Sequence, residues 1–110
     1  MKDINLDSGY TQINPEMAKK IIDNDERKII LDVRTLEEYE CGHIEGAILM
    51  PYDEVYIRAE AELLNKDEII LVYCRSGVRS VLASRDLAEL GYSKVYEFGG
   101  IIDWPYDIVK

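Results

Sequence analysis

The sequence predicts an α/β domain of three layers, a mainly parallel sheet with helices on both faces. Apolar, β-branched runs of strand length alternate along the chain with segments of helical periodicity. Each connection between successive strands is long enough to cross over a sheet, which parallel pairing requires. "KIILDV" (28–33) and "EIILVYC" (68–74) are continuous apolar runs, the pattern of strands covered on both sides.

Taken in order, residues 10–13 form a brief edge strand. Asn14, Pro15 and Glu16 then supply an N-cap, a proline at the first helical position and a first-turn acid. The helix they open turns Met17, Ala18, Ile21 and Ile22 inward. After the strand at 28–33, Thr35 and Glu38 make a capping box for a short helix that ends at Gly42. "GAILM" (46–50) is a short strand closed by Pro51, and residues 53–64 read as helix. The run at 68–74 is the most strand-like segment of the chain. Residues 78–90 are helical, with Ala83, Leu87 and Leu90 on one face and Gly91 as the stop. "KVYEF" (94–98) is a fifth strand, after which Gly99 and Gly100 turn the chain into a last short helical stretch around 101–106.

A chain of 110 residues supports one core, so residues 10–110 read as one domain behind a short polar tail, residues 1–9. With 47% apolar and 32% charged residues the composition is globular. No apolar run approaches a membrane span, and Met1 is followed by Lys2, Asp3 and Asn5 rather than a hydrophobic signal region. A cytoplasmic location away from membranes is the expectation. The net charge of −9 makes nucleic acid a poor partner, because phosphate binding needs a basic face. Cys41, Cys74 and the single histidine have no metal-ligand spacing, so neither a metal nor another cofactor is expected.

The acidity is uneven. No carboxylate occurs from residue 69 to 84, while Arg75, Arg79 and Arg85 lie in or beside that window. A buried strand and an amphipathic helix account for the missing acids; the arginines need a separate account. The strand and the helix meet in the stretch "YCRSGVRS" (73–80), which places Cys74 at the carboxyl end of the strongest strand. In parallel sheets that is where ligands bind, near helix N-termini.

A free cysteine with a pKa of about 8.5 is only about 3% thiolate at neutral pH. Lowering it by about two pH units takes roughly 2.7 kcal/mol of preference for the anion. Gly77 beside Ser76 lets backbone N–H groups turn inward as an anion nest. The helix from Val78 aims its unpaired N–H groups at the same point. Arg75 and Arg79 add permanent positive charge. Burial opposes all three, and the expectation is that amides and arginines prevail. The Cys-x4-Arg spacing is one residue shorter than the Cys-x5-Arg loops that encircle phosphate, a loss of up to about 3.5 Å of contour. The tighter loop suits a thiolate plus one more atom, such as a persulfide sulfur.

"CRSGVRS" resembles the active-site loop of rhodanese-type sulfurtransferases. "ILDVRTLEEYECGHIEGA" (30–47) is similar to the upstream signature of that family, and "YEFGGIIDW" (96–104) to its Gly-Gly/Trp segment. The resemblance implies a five-stranded parallel sheet flanked by helices. It also implies transfer of a sulfane sulfur from a small anionic donor such as thiosulfate to a thiol or cyanide acceptor. By position Cys74 is the persulfide-forming nucleophile, with Arg75, Ser76, Gly77, Val78 and Arg79 as the substrate-binding cradle. Asp32 and Arg34 match a family pair with a structural role, and Glu45 stands where a proline is common.

Sulfur transfer from thiosulfate expels sulfite, a stable anion, so no histidine acid is required, unlike cysteine acyl transfer. His43 accordingly reads as a turn histidine bonding local backbone, with a catalytic base as the alternative. Cys41 reads as a small filler at a helix end, or else as a resolving thiol. Trp104, Pro105 and Tyr106 read as packing over the sheet edge, or else as the rim of a substrate mouth. Two rival functions share the scaffold: a persulfide carrier loaded by a protein sulfur donor, a desulfurase, and a phosphatase or arsenate reductase.

Overall fold

In chain order the elements are β1 (Thr11–Gln12), α1 (Pro15–Asp23), β2 (Lys28–Asp32), α2 (Leu36–Cys41), β3 (Ile48–Leu49), a 3-10 turn (Tyr52–Glu54), α3 (Val55–Glu62), β4 (Ile69–Cys74), α4 (Val78–Glu89), β5 (Val95–Gly100) and a second 3-10 turn (Ile101–Asp103). The structure is a computed structural model that describes residues 9–110; of the predicted polar tail only Gly9 lies within it, and residues 1–8 lie outside the described residues. The five strands form one sheet in the order β1-β5-β4-β2-β3, and every pairing is parallel. Among the described residues no helix is long and apolar enough to cross a membrane.

Alternation along the strands sorts side chains into two cores. Ile70, Val72 and Cys74 of β4 point to one face with Leu31, Val33 and Val95, where α3 and α4 cover them through Val55, Ala59, Ala83 and Leu87. Leu71 and Tyr73 point to the other face with Ile30 and Phe98, beneath Ala18 and Ile21 of α1 and Tyr39 of α2. The result is the predicted three layers. Ile70, Leu71 and Val72 are fully buried, and each contributes about 1.5–3 kcal/mol from leaving water.

The predicted caps form. Asn14 accepts from the Met17 N–H at 2.8 Å, and Thr35 and Glu38 make the reciprocal capping box. Several boundaries differ from expectation, among them the strands predicted at 10–13 and 46–50, which shorten to Thr11–Gln12 and Ile48–Leu49. The helix predicted at 53–64 is a 3-10 turn followed by α3, which ends at Glu62. Gly99 and Gly100 belong to β5 rather than to a turn, because Gly100 pairs with Cys74 across an irregularity in the β4–β5 register. The final helical stretch is only one 3-10 turn, closed by the Trp104 N–H on the Ile101 carbonyl at 3.1 Å, with Pro105 following.

The order of the strands reverses direction at the centre of the sheet. β2 leads outward through α2 to β3 at one edge, and β4 leads through α4 to β5 on the other side. The carboxyl ends of β2 and β4 therefore flank a crevice of the kind that holds ligands in parallel sheets. A buried polar cluster braces it. Asp32 accepts from Arg34 Nη2 at 2.7 Å and from the Tyr73 hydroxyl at 2.6 Å. Arg34 Nη2 also reaches the Gly42 carbonyl at 2.7 Å, and Tyr73 Oη accepts the Ile44 N–H at 3.1 Å. Burial first and the Asp32 carboxylate second push the Tyr73 phenol far above its ordinary range, so it stays a neutral donor. The structural role implied for Asp32 and Arg34 is what their geometry shows.

The last residue of β5 passes directly under the loop that follows β4. A Cβ built on Gly100 would lie 1.9 Å from the Arg75 carbonyl oxygen and 2.6 Å from the Ser76 Cα. These are backbone atoms that no rotamer change can move. Gly100→Ala is expected to destabilise the fold by about 3 kcal/mol or more, measured as the urea midpoint of unfolding. An unchanged midpoint would show that the loop shifts freely away from β5.

Candidate active site

Cys74 ends β4 with its side chain 1% exposed. The chain then makes a short turn whose Gly77 has φ +102° and ψ 0°, the left-handed region in which a side chain is strained. That conformation directs the Gly77 N–H to Cys74 Sγ at 2.9 Å. Sγ also lies 3.3 Å from the Ser80 hydroxyl in the first turn of α4. Burial is the largest influence on the thiol and would raise its pKa. The Ser80 hydroxyl and the backbone N–H groups of Ser80, Gly77 and Ser76 together outweigh it and hold the thiol below its ordinary value.

Around Sγ the loop thus gathers backbone N–H groups and one hydroxyl. Arg75 and Ser76 are exposed, as is Val78, while Gly77 and Arg79 are half-buried. The two arginines behave differently from the sequence expectation. Arg79 points away to α2, where Nη1 and Nη2 bind the Glu38 carboxylate at 2.8 and 2.9 Å. Its charge is matched first by Glu38 and only weakly reaches Cys74, so the groups that chiefly lower the thiol are the Ser80 hydroxyl and the backbone N–H groups. Arg75 forms no ion pair among the described residues, so its charge faces solvent at the mouth of the loop.

Two residues at the site were not singled out from sequence. Ser80 closes the quoted loop, yet a serine in a first helical turn is so common a cap-region residue that it carried no signal. Glu97 lies in β5, 3% exposed, and accepts from the Ser80 hydroxyl at 2.5 Å and the Gly99 N–H at 2.9 Å. A carboxylate on the same strand face as Val95, two positions away, could have marked it as an acid aimed into the core.

The other candidates fall elsewhere. His43 stacks on Tyr39 with ring centres 3.7 Å apart, and its Nδ1 lies 2.8 Å from the Tyr39 carbonyl. That is the turn histidine of the first reading. Cys41 is an exposed free thiol at the end of α2, whereas Cys74 is buried. Phe98, Trp104 and Tyr106 form an aromatic chain with centre distances of 5.4 and 5.0 Å. Trp104 packs in the core on the α1 side of the sheet, the face opposite Cys74. Beside it a cleft of about 510 Å³ is lined by Lys19, Ile22, Ile44, Trp104 and Tyr106.

Glu38 joins the loop to α2, since the carboxylate that caps Thr35 also clamps Arg79. The Arg79 bonds, with help from Thr35 and against partial burial, hold Glu38 at about 2 in place of an ordinary 4.5. A carboxyl depressed in the folded state adds stability above its unfolded pKa and loses it as pH falls through the folded one. The stability advantage over Glu38→Gln should be full above about pH 4.5 and shrink toward about pH 2. Urea unfolding at several pH values measures it, and a gap that stayed constant over this window would contradict the pairing.

Comparison with known proteins bears on the family and the fold. Residues 14–105 match the family model of the rhodanese-like domain. The chain is 41% identical over 98 residues to the candidate sulfur carrier YrkF of Bacillus subtilis, matching 88% of this chain but 52% of YrkF, about half its length. Against the thiosulfate sulfurtransferase PspE of Escherichia coli it is 38% identical over 80 residues, 73% of this chain and 77% of PspE. An E. coli rhodanese solved with anions superposes with a TM-score of 0.71 at 36% identity, covering 76% of this chain and 98% of that one. The chain thus belongs to the rhodanese-like domain family, which the match over residues 14–105 shows.

Proposed function

We propose that this protein is a sulfurtransferase that moves sulfane sulfur from a small anionic donor such as thiosulfate to a thiol or cyanide acceptor through a persulfide on Cys74. The observation that carries the reading is the bond from the Gly77 N–H to Sγ at 2.9 Å, at the end of a strand where burial alone would keep the thiol protonated. A thiolate held this way attacks the outer sulfur of thiosulfate. The new S–S bond forms as the old one breaks, and sulfite leaves with its electron pair. Charge balances, since a thiolate and a dianion give a persulfide anion and a dianion. Cyanide then takes the outer sulfur as thiocyanate and returns the thiolate.

In this scheme the N–H groups of residues 75–79 hold whichever sulfur bears the charge, first Sγ and then the terminal sulfur. Arg75, exposed and unpaired among the described residues, draws the anionic donor to the loop. Arg79 shapes the loop through Glu38. A carrier role, with sulfur loaded by a protein donor, is the second reading. It is favoured by the match to YrkF and by a net charge of −9 that suits a basic partner surface. A phosphatase is disfavoured by the four-residue spacing between Cys74 and Arg79.

Incubation with thiosulfate followed by mass spectrometry is expected to show one added sulfur on Cys74, removed by cyanide and absent from Cys74→Ser. No adduct on intact, reduced protein would overturn the thiosulfate reading; rapid loading from a desulfurase alone would replace it with the carrier. Efficient phosphate-ester hydrolysis lost in Cys74→Ser would favour the phosphatase instead. Arg75→Ala is expected to raise KM for thiosulfate severalfold with kcat little changed, as removal of uniform binding does.

A further inference from the structure

We infer that Glu97 is a positioning residue that takes the proton of the Cys74 thiol through the Ser80 hydroxyl, and so decides when the sulfur is an anion. The inference rests on the proposed role of Cys74 but asks a separate question, namely where the thiol proton goes. Ser80 Oγ bridges the two groups, 3.3 Å from Cys74 Sγ and 2.5 Å from Glu97 Oε2. The carboxyl is 3% exposed. Its other partners are the Gly99 N–H at 2.9 Å and the Gln12 side-chain amide at 3.1 Å. None of these is a cation, and among the described residues no lysine or arginine pairs with it.

The groups that face Glu97 come from every element packed around it. From β1 there is Gln12, from its own strand the Gly99 N–H, from α4 the Ser80 hydroxyl, and from β4, through that hydroxyl, the thiol. Arg79, one residue from Ser80, is held by Glu38 on the far side of the loop. Ser84, one turn along α4, is buried with its hydroxyl unpartnered. Cys74 is thus a titratable group joined to Glu97 by a continuous hydrogen-bonded path.

Ser80 has a single hydroxyl proton. While Cys74 is a thiol the proton order is satisfied, with S–H donating to Ser80 Oγ and the Ser80 O–H donating to the carboxylate. Once the sulfur is an anion, two buried anions compete for that one proton, and like charges this close cannot both persist without cost. Transfer resolves the conflict. The S–H bond breaks and its proton bonds Ser80 Oγ; the former Ser80 proton bonds Glu97 Oε2. The serine is regenerated, now donating to sulfur, and the neutral carboxyl donates to serine. No electrons change hands, and the pocket keeps one negative charge, moved from a carboxylate to the sulfur that the Gly77 N–H faces. A dianionic donor then meets one negative charge in the pocket instead of two.

The test uses the full chain in a Cys41→Ser background and follows alkylation of Cys74 by iodoacetamide against pH. With Glu97 present the rate is expected to be level from about pH 6 to 8, because the proton moves within the pocket and none is exchanged with water. In Glu97→Gln, which keeps the shape and an acceptor, the rate should climb about tenfold per pH unit below the thiol's own titration. Ser80→Ala, which leaves the carboxylate but removes the bridge, should also lose the level region and serves if Glu97→Gln folds poorly. Infrared spectra should show a protonated carboxyl band at neutral pH that is missing from Glu97→Gln and disappears when Cys74 is alkylated. A carboxyl that is merely structural would keep its state on alkylation. An unchanged pH profile in both variants, or a thiolate coexisting with ionised Glu97, overturns the inference. None of these readouts uses a sulfur donor. Failure to form a persulfide with a normal alkylation profile would therefore refute the sulfur-transfer reading alone.

Discussion

The carbonyl of Arg75 occupies the space that a side chain on residue 100 would need, and the site depends on that approach. A Cβ at Gly100 would meet the oxygen at 1.9 Å. The same carbonyl accepts the Ile102 N–H at 3.2 Å, so the turn after β5 ties down the turn after β4. With Arg75 held there, the chain has two residues, Ser76 and Gly77, in which to reach α4. Gly77 at positive φ lets it do so with the N–H groups facing the sulfur. A buried thiol becomes an anion only if donors are already in place, because a low-dielectric pocket penalises an unpaired charge heavily.

Fixed amides, rather than mobile cations, do most of this. Arg79 is turned to Glu38 and works as a strut between α4 and α2. Arg75 faces solvent, where its charge is screened from the sulfur and open to an incoming anion. Beneath the loop, two buried carboxylates lie on opposite sides of the sheet. Asp32 is matched by Arg34 and Tyr73 and braces the crevice. Among the described residues Glu97 has only neutral donors, and it touches the sulfur's own hydroxyl partner. The contrast separates a carboxylate that holds structure from one placed to exchange a proton.

Much of this was legible in the residues. The caps at Asn14 and Thr35, the two central strands and the α4 stop at Gly91 follow from local chemistry, which acts over a few residues and writes itself into spacing. The position of Cys74 at the end of β4 followed from the same pattern. What escaped was set by contacts distant in sequence. Gly99 and Gly100 looked like a turn because glycine pairs usually are one. They extend β5 because Cys74 pairs with Gly100 across the sheet. Trp104 left two readings open that only its packing on the α1 face distinguishes.

By itself the sequence determined the order of elements, the α/β class, the cysteine at the end of the central strand and the size of the loop that follows it. All of these depend on periodicity, capping and chain contour, which are local. Only the tertiary structure decided which groups surround the sulfur. Glu38 and Arg79 are 41 positions apart, and Ser80 and Glu97 are 17 apart. No local pattern specifies that they meet, because the sheet order and the packing of α4 on β5 bring them together. The charge of the loop was visible in the chain; which charge faces the sulfur was settled by packing.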